Sequence, residues 1–335
     1  MAPSSGNSFQ RKEAAMTIMN LLISALSQGM IYVPMALGVF IAFRVLNMPD
    51  LTIDGSFVVG MCVCAVVTIA GHPGLALLCG ALAGALAGLC TGILQTKLRI
   101  NPILSGILTM TGLYTINFMV LGGQSNLYLQ KTALNSAGVE TQVACDTLYK
   151  SFRAILADVT GNKRLDANLS AVLLTGVIVI AVLAVLAVFF YTRPGMAIRA
   201  TGDNEEMVRS SSINADRARV TGIMLSNALV ALSGALLCQQ QRYADLNFGS
   251  GMLVVGLASV IIGQVFFGKR SVTLGLISAM FGSLIYRVIL QFAYKIDMPS
   301  YAVKLLSAVI VVIALTLPLI RRWIRDRRAE KEEAA

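Results

Sequence analysis

Along most of the chain, apolar stretches of about twenty residues alternate with short polar breaks marked by Gly and Pro, and the charged residues gather in those breaks. An apolar run of that length, coiled as a helix, matches the thickness of a bilayer core. The pattern predicts helices near 18–43, 55–71, 74–96, 102–121, 170–192, 220–240, 251–267, 272–292 and 302–320. The second and seventh are short. Short spans are tolerated where the freed backbone is buried in protein or lines a wet cavity.

Both short runs start at the same phrase. Asp50-Leu51-Thr52-Ile53-Asp54-Gly55-Ser56, followed by Val58-Val59-Gly60, returns as Asp245-Leu246-Asn247-Phe248-Gly249-Ser250, followed by Val254-Val255-Gly256. An odd number of crossings leads from the second span to the seventh, so the two copies point in opposite directions. The expected fold is an all-α polytopic membrane protein of about nine transmembrane helices, an inverted repeat with two short interrupted helices. Spans one to four answer spans six to nine, and the fifth connects them. Such folds place their pathway where interrupted helices meet near the midplane. Thr52, Asp54, Ser56, Asn247 and Ser250 flank the interruptions and Asn117 lies on an otherwise apolar span, so these six are the expected pathway residues. Asp54 has two readings: a helix cap, or an intramembrane carboxylate acting as a gate or substrate-amine contact.

Composition agrees with burial in lipid. Hydrophobic residues make up 56% of the chain, charged residues 13%, and mean hydropathy is +0.74, where soluble domains carry about 25% charged residues. The net charge of +10 would suit nucleic acid, but no base-reading or stacking motif accompanies the Lys and Arg, and no nucleic-acid partner is expected. The charges instead orient the chain. With the carboxyl terminus inside the cell, the inside segments hold most of the 27 Lys and Arg, from Arg44, Lys97 and Arg199 to Lys269, Arg270 and the basic tail; Arg11 and Lys12 oppose this placement. The expected organisation is an N-terminal tail (1–17), a first transmembrane half (18–121), an extracytoplasmic insert (122–168), a connecting helix (169–192), a cytoplasmic loop (193–219), a second half (220–320) and a basic cytoplasmic tail (321–335). Arg322, Arg325, Arg327 and Arg328 in that tail suit the anionic lipid of the inner leaflet.

Other features are structural or empty of chemistry. Gly80, Gly84, Gly88 and Gly92 form one helical face, which lets another backbone approach closely, either within the monomer or across a subunit dimer. In the insert, Leu148, Phe152, Ile155 and Leu156 share one face of a possible helix, a cap that receives a soluble partner or a merely decorative loop. Five of the six Cys lie in apolar runs and Cys145 stands alone, so no disulfide framework is expected. With His72 as the single His, set in a turn, neither a metal site nor a catalytic residue is expected, and no cofactor. Gly263-Gln264-Val265-Phe266-Phe267-Gly268-Lys269-Arg270 nearly spells a phosphate-binding loop, but Arg270 stands where Ser or Thr should be and the interior is bulky. Arg287, inside a span, either snorkels or pairs across a dimer, and receives no role.

The most unusual polar stretch is the inside loop from Arg193 to Asn214. Asp203 or Asn204 can cap a short helix there, with Glu205 and Glu206 in its first turn, Gly202 and Asn214 as punctuation, and Met207 and Val208 as apolar knobs that a partner groove could grip. This loop, with Ala231-Leu232-Ser233-Gly234-Ala235 and Val254-Val255-Gly256-Leu257-Ala258-Ser259, resembles the permeases of ABC importers for branched-chain amino acids, ribose and nucleosides. Leu51-Thr52-Ile53-Asp54-Gly55-Ser56 and Asn101-Pro102-Ile103-Leu104-Ser105-Gly106 resemble the tryptophan/tyrosine permease branch. The resemblance covers roughly residues 20–320. It implies a permease homodimer in the bacterial inner membrane, ATP-binding ABC subunits below and an extracytoplasmic substrate-binding protein above. It also implies a coupling helix at about 204–212, so that Gly202, Asp203, Asn204, Glu205, Glu206, Met207, Arg209 and Ser210 are the expected ATPase-coupling residues. The insert is longer than in the branched-chain relatives. An ion-coupled secondary transporter is the alternative, though its acidic or His relays are sparse here; a membrane scaffold or receptor would leave the echo and the loop unexplained.

Overall fold

The computed structural model describes residues 5–134, 140–160, 167–211, 213–268, 271–295, 305–306, 308–313 and 316. α1 (Ser5–Phe40) begins inside the expected N-terminal tail and ends in a π turn, Ile41–Val45. Three helices follow, α2 (Ile53–Ile69), α3 (Pro73–Thr96) and α4 (Pro102–Val120). Pro at the first position of α3 and α4 costs no hydrogen bond, since that N–H has no intrahelical partner. The insert contains β1 (Asn126–Tyr128), β2 (Gln130–Leu134), β3 (Glu140–Ala144) and α5 (Leu148–Thr160). Next come α6 (Ala167–Tyr191), α7 (Arg193–Asp203), α8 (Glu205–Ser210) and α9 (Ala215–Gln241). The chain then forms β4 (Tyr243–Asp245), a 3-10 turn (Leu246–Gly249), α10 (Met252–Phe267) and α11 (Val272–Lys295).

The fold is that of a polytopic helical membrane protein. Among the described residues, seven spans are long and apolar enough to cross a bilayer, and α2 is a shorter apolar helix beside them. Of the expected ninth span, 302–320, only helical residues between 305 and 316 are described, and the basic tail 321–335 lies outside the described residues. The near-match to a phosphate loop is ruled out locally: its first five residues are the last turns of α10, and Lys269 and Arg270 lie outside the described residues.

Small residues set the packing. α3 lies along α9, where a Cβ on Gly84 would stand 2.2 Å from that of Ala231 and one on Gly88 would stand 2.7 Å from the Ile223 carbonyl oxygen. Gly80 and Gly92 meet Ala235 and Val220 on the same helix, so the Gly face is filled within one chain. The opposite face of α3 exposes Leu75, Leu78, Leu82 and Leu86, the composition expected against lipid.

Residue pairings give the helix directions. Ser56 meets Asn227, Gly60 meets Ala231 and Thr68 meets Gln239, so α2 runs parallel to α9. Gly38 meets Ser226 and Ser27 meets Gln240, so α1 runs against α9. Val39 faces Gly256 and Arg44 donates to Gln264, so α1 runs with α10. α2 and α10 therefore run in opposite directions. One end of the bundle carries α7 and α8, and the other carries the insert. There β1 pairs antiparallel with β4, β2 with β3, and the amide of Leu148 at the start of α5 donates to Gln239 Oε1 at 3.1 Å. The insert is thus mixed in structure rather than purely helical, and it is stitched to the end of α9.

Candidate functional site

The two echoed phrases fold alike. Asn47 and Arg242, each three residues ahead of its Asp, adopt positive φ of 54° and 63°, which turns the chain after a long helix. Asp50 Oδ1 then accepts from the amide of Thr52 at 2.9 Å, and Asp245 Oδ1 from that of Asn247 at 2.7 Å. Each is an Asx turn, in which a short carboxylate replaces the helical hydrogen bond the broken backbone lacks. A short helix follows in each case.

The two short helices meet start to start. Asp54, near the N-terminus of α2, accepts from the amides of Gly251 (3.1 Å) and Leu253 (2.8 Å) at the N-terminus of α10. The capping reading of Asp54 holds with a correction: the helix it caps is the other half's, and α2 itself has no side-chain cap. A carboxylate facing the positive end of a helix dipole is stabilising. Gly249 permits the approach, because a Cβ there would sit 2.4 Å from the Asp54 carbonyl oxygen.

Four of the six expected pathway residues, Asp54, Asn117, Asn247 and Ser250, line one cavity of about 390 Å³ beside this junction, with Thr111 and Tyr114 of α4. Asn117 is buried; its amide reaches the Gly55 carbonyl at 3.5 Å and its Oδ1 has no partner among the described residues. Thr52 and Ser56 are elsewhere, fully buried in a hydrogen-bond network. Ser56 donates to Asn227 Oδ1 at 2.6 Å, Asn227 Nδ2 donates to Asp50 Oδ2 at 2.7 Å, and the Thr52 and Thr91 hydroxyls lie 2.8 Å apart. A carboxylate as buried as Asp50 is costly unless its oxygens are satisfied, and Asn227 supplies that from α9. The sequence reading missed Asn227, Thr91 and the structural weight of Asp50. The echo was the available signal for Asp50, but nothing local marks a partner more than a hundred residues away.

At the other end, the loop forms two helices. Asn204, extended at φ −156°, breaks α7 from α8 and its side chain accepts from the Met207 amide at 3.0 Å. Gly202 does not punctuate; it lies inside α7 and packs on the end of α1, where a Cβ would collide with the Val45 carbonyl oxygen at 1.8 Å. Met207 is 59% exposed, whereas Val208 is 1% exposed and so is no knob. Asp203, Glu206 and Ser210 are exposed, Ser210 donating to the Met207 carbonyl at 2.8 Å. Glu205 bonds Arg209 at 2.8 Å and Arg219 of α9, and Arg209 bonds Asp216 at 2.8 Å. The bond to Glu205, with Asp216 beside it, raises the Arg209 guanidinium above its ordinary value. The last expected residue of the coupling stretch, Ser212, lies outside the described residues.

Sequence comparison points the same way. The family described as branched-chain amino acid transport system/permease component matches residues 21–315. The tyrosine transport system permease protein of Clostridioides difficile is 34% identical over 298 residues, covering 89% of this chain and 91% of the relative. An uncharacterized protein of Rickettsia prowazekii is 29% identical over 302 residues, covering 89% of this chain and 98% of its own length. The ribose import permease protein of Escherichia coli is 22% identical over 260 residues, 77% of this chain and 70% of the relative. No solved structure matches the chain.

Proposed function

This chain belongs to the branched-chain amino acid transport permease family and is a permease component of an ABC-type transport system, and from that premise we propose that it imports an amino acid, aromatic in side chain, by alternating access. The relative named for tyrosine transport motivates the substrate. In this reading the chain crosses the bacterial inner membrane nine times with its carboxyl terminus inside. Residues 18–121 and 220–320 are inverted halves, 122–168 is an outside insert, and the 169–192 segment joins the halves ahead of the 193–219 loop. Two copies pair, ATP-binding subunits dock below and a substrate-binding protein docks above.

The observation that carries the reading is the Asp54 cap on α10, because it joins two oppositely directed broken helices at one cavity. Broken helices whose N-termini converge inside the membrane are the usual substrate environment of inverted-repeat transporters. The coupling path is short. Movement of α8 is passed by the Glu205–Arg219 and Arg209–Asp216 pairs to α9, whose Asn227 holds Asp50 and Ser56 at the first broken helix. Movement of α7 is passed through Gly202 to the end of α1. ATP-driven closure of the partners then tilts both halves about the Asp54 junction.

The test replaces Glu205, Glu206 and Arg209 together with Gln in the assembled importer, reconstituted in proteoliposomes. ATP hydrolysis is expected to persist while uptake of L-tyrosine falls by about tenfold or more. Full ATP-driven uptake by the triple variant would remove the loop from the mechanism.

A further inference from the structure

The halves differ where their pseudo-equivalent helices pack. Gly88 of α3 faces Ile223, Met224 and Asn227 of α9 at close range. Shifted by the interval that separates Asp50 from Asp245, those positions fall on Gln28, Gly29 and Tyr32 of α1. By the same interval Gly88 falls on Ser283, which donates to the Gly29 carbonyl at 3.2 Å, and Gly92 falls on Arg287, whose guanidinium stacks on the Tyr32 ring. Where Gly92 of the first half closes on Val220 of α9, the second half holds beside Arg287 a cavity of about 680 Å³ at the insert end, lined by Arg287, Gln28, Gln241, Gln291, Tyr294 and Asn247 among apolar walls. That volume is within the range of roughly 300–1,000 Å³ usual for small-molecule sites.

Arg287 is set up to hold an anion. Its guanidinium carbon lies 3.4 Å from the centre of the Tyr32 ring, so one face is stacked and the N–H fork at its edge remains for a planar, two-oxygen partner. Its Nε is buried without a hydrogen-bond partner, and no carboxylate pairs with the side chain among the described residues. Among the described residues, the lining of the cavity includes no Asp or Glu. A lone cation within a span is expensive and marks a functional site by default. We propose that Arg287 binds the carboxylate of the transported solute, in a waiting site between α1, α10 and α11 that borders the Asp54 cavity across Asn247 and Ser250. Gln28 and Gln291 add neutral hydrogen-bonding groups without competing charge.

This proposal rests on the transport reading for its choice of ligand, and its test separates the two. The whole chain is placed in nanodiscs of phosphatidylcholine, and its thermal midpoint is followed with L-tyrosine, hydroxyphenylpropionate and tyramine. The two carboxylates are expected to stabilise the chain and tyramine, which lacks the carboxylate, is not. Arg287→Gln should weaken apparent carboxylate affinity by about tenfold or more, while Arg287→Lys keeps part of it. Should Arg287→Gln fail to fold, the wild-type selectivity and the Lys variant still decide. Equal response to tyramine, an undiminished response in Arg287→Gln, or no response to either carboxylate overturns the proposal. Stabilisation by added phosphatidylglycerol alone overturns it in favour of a lipid headgroup. The transport reading falls on a different result, absence of ATP-driven tyrosine uptake by the assembled wild-type importer, whatever the nanodiscs show.

Discussion

Asp54 and Asp50 are carboxylates of one turn with different duties. Asp50 is 1% exposed and bonded within its own half and to α9, which fixes the entry to α2. Asp54 spends both oxygens on amides of the opposite half. Loss of a helix cap costs about 1 kcal/mol, and Asp54→Asn keeps an acceptor oxygen while losing charge. Asp54→Asn is therefore expected to fold with near-native stability but to protect the amides of Gly251 and Leu253 less well in hydrogen exchange. Asp54→Ala should lose that protection altogether and depress uptake further than the Asn variant. Unchanged exchange at both amides in the Ala variant would show that the cap does not hold α10. Asn227 is the contrasting case, since it bonds Asp50 and Ser56 at once and its removal leaves a buried carboxylate short of a donor, worth about 1–3 kcal/mol.

Helices were legible in the sequence because lipid simplifies the code. Runs such as the one in α6, whose outward residues include Val177, Ile180, Val185 and Val188, need only length and apolarity to be found. The repeated Asp phrase marked where two short interrupted helices begin, though not the Asx turns that start them, and the spacing of Gly80 to Gly92 foretold a packing face. What stayed hidden was pairing between distant residues: the β1–β4 ladder tying the insert to Tyr243, the cap thrown by α2 onto α10, and the contact of Gly202 with α1. Each depends on relative helix placement, which periodicity does not encode. The Gly face gives a direct test of that placement. Gly88→Leu would drive a side chain into the backbone of Ile223 and Met224, and overpacking of a tight contact costs about 1–3 kcal/mol. Leu82→Phe, on the exposed face of the same helix, is expected to be silent. A lowered thermal midpoint for the first and not the second is the expected result, and equal tolerance of both would mean that α3 does not lie against α9 through its glycines.

At the scale of the whole molecule, the proposed function gives the two ends different tasks, and orientation decides whether they can perform them. The insert end holds the Arg287 cavity, which borders the Asp54 cavity across Asn247 and Ser250, so on the proposed reading a solute arriving there meets the cation on its way to the junction. The loop end presents Met207, 59% exposed, beside the Arg209–Asp216 and Glu205–Arg219 ion pairs that bind α8 to α9. ATP is available only on the cytoplasmic side, so the loop must face inward for a partner ATPase to reach it. Met207→Cys, in a chain with the exposed Cys90 replaced by Ala, is expected to react with a membrane-impermeant thiol reagent in inside-out vesicles and not in right-side-out ones. Lys150→Cys, exposed on α5 of the insert, should behave in the opposite way. Met207→Cys labelled from the outer face would invert the bundle, separating the loop from any ATPase and turning the Arg287 cavity toward the cytoplasm. The importer reading could not survive that result, whereas the cap between the two broken helices, being independent of the membrane's polarity, would.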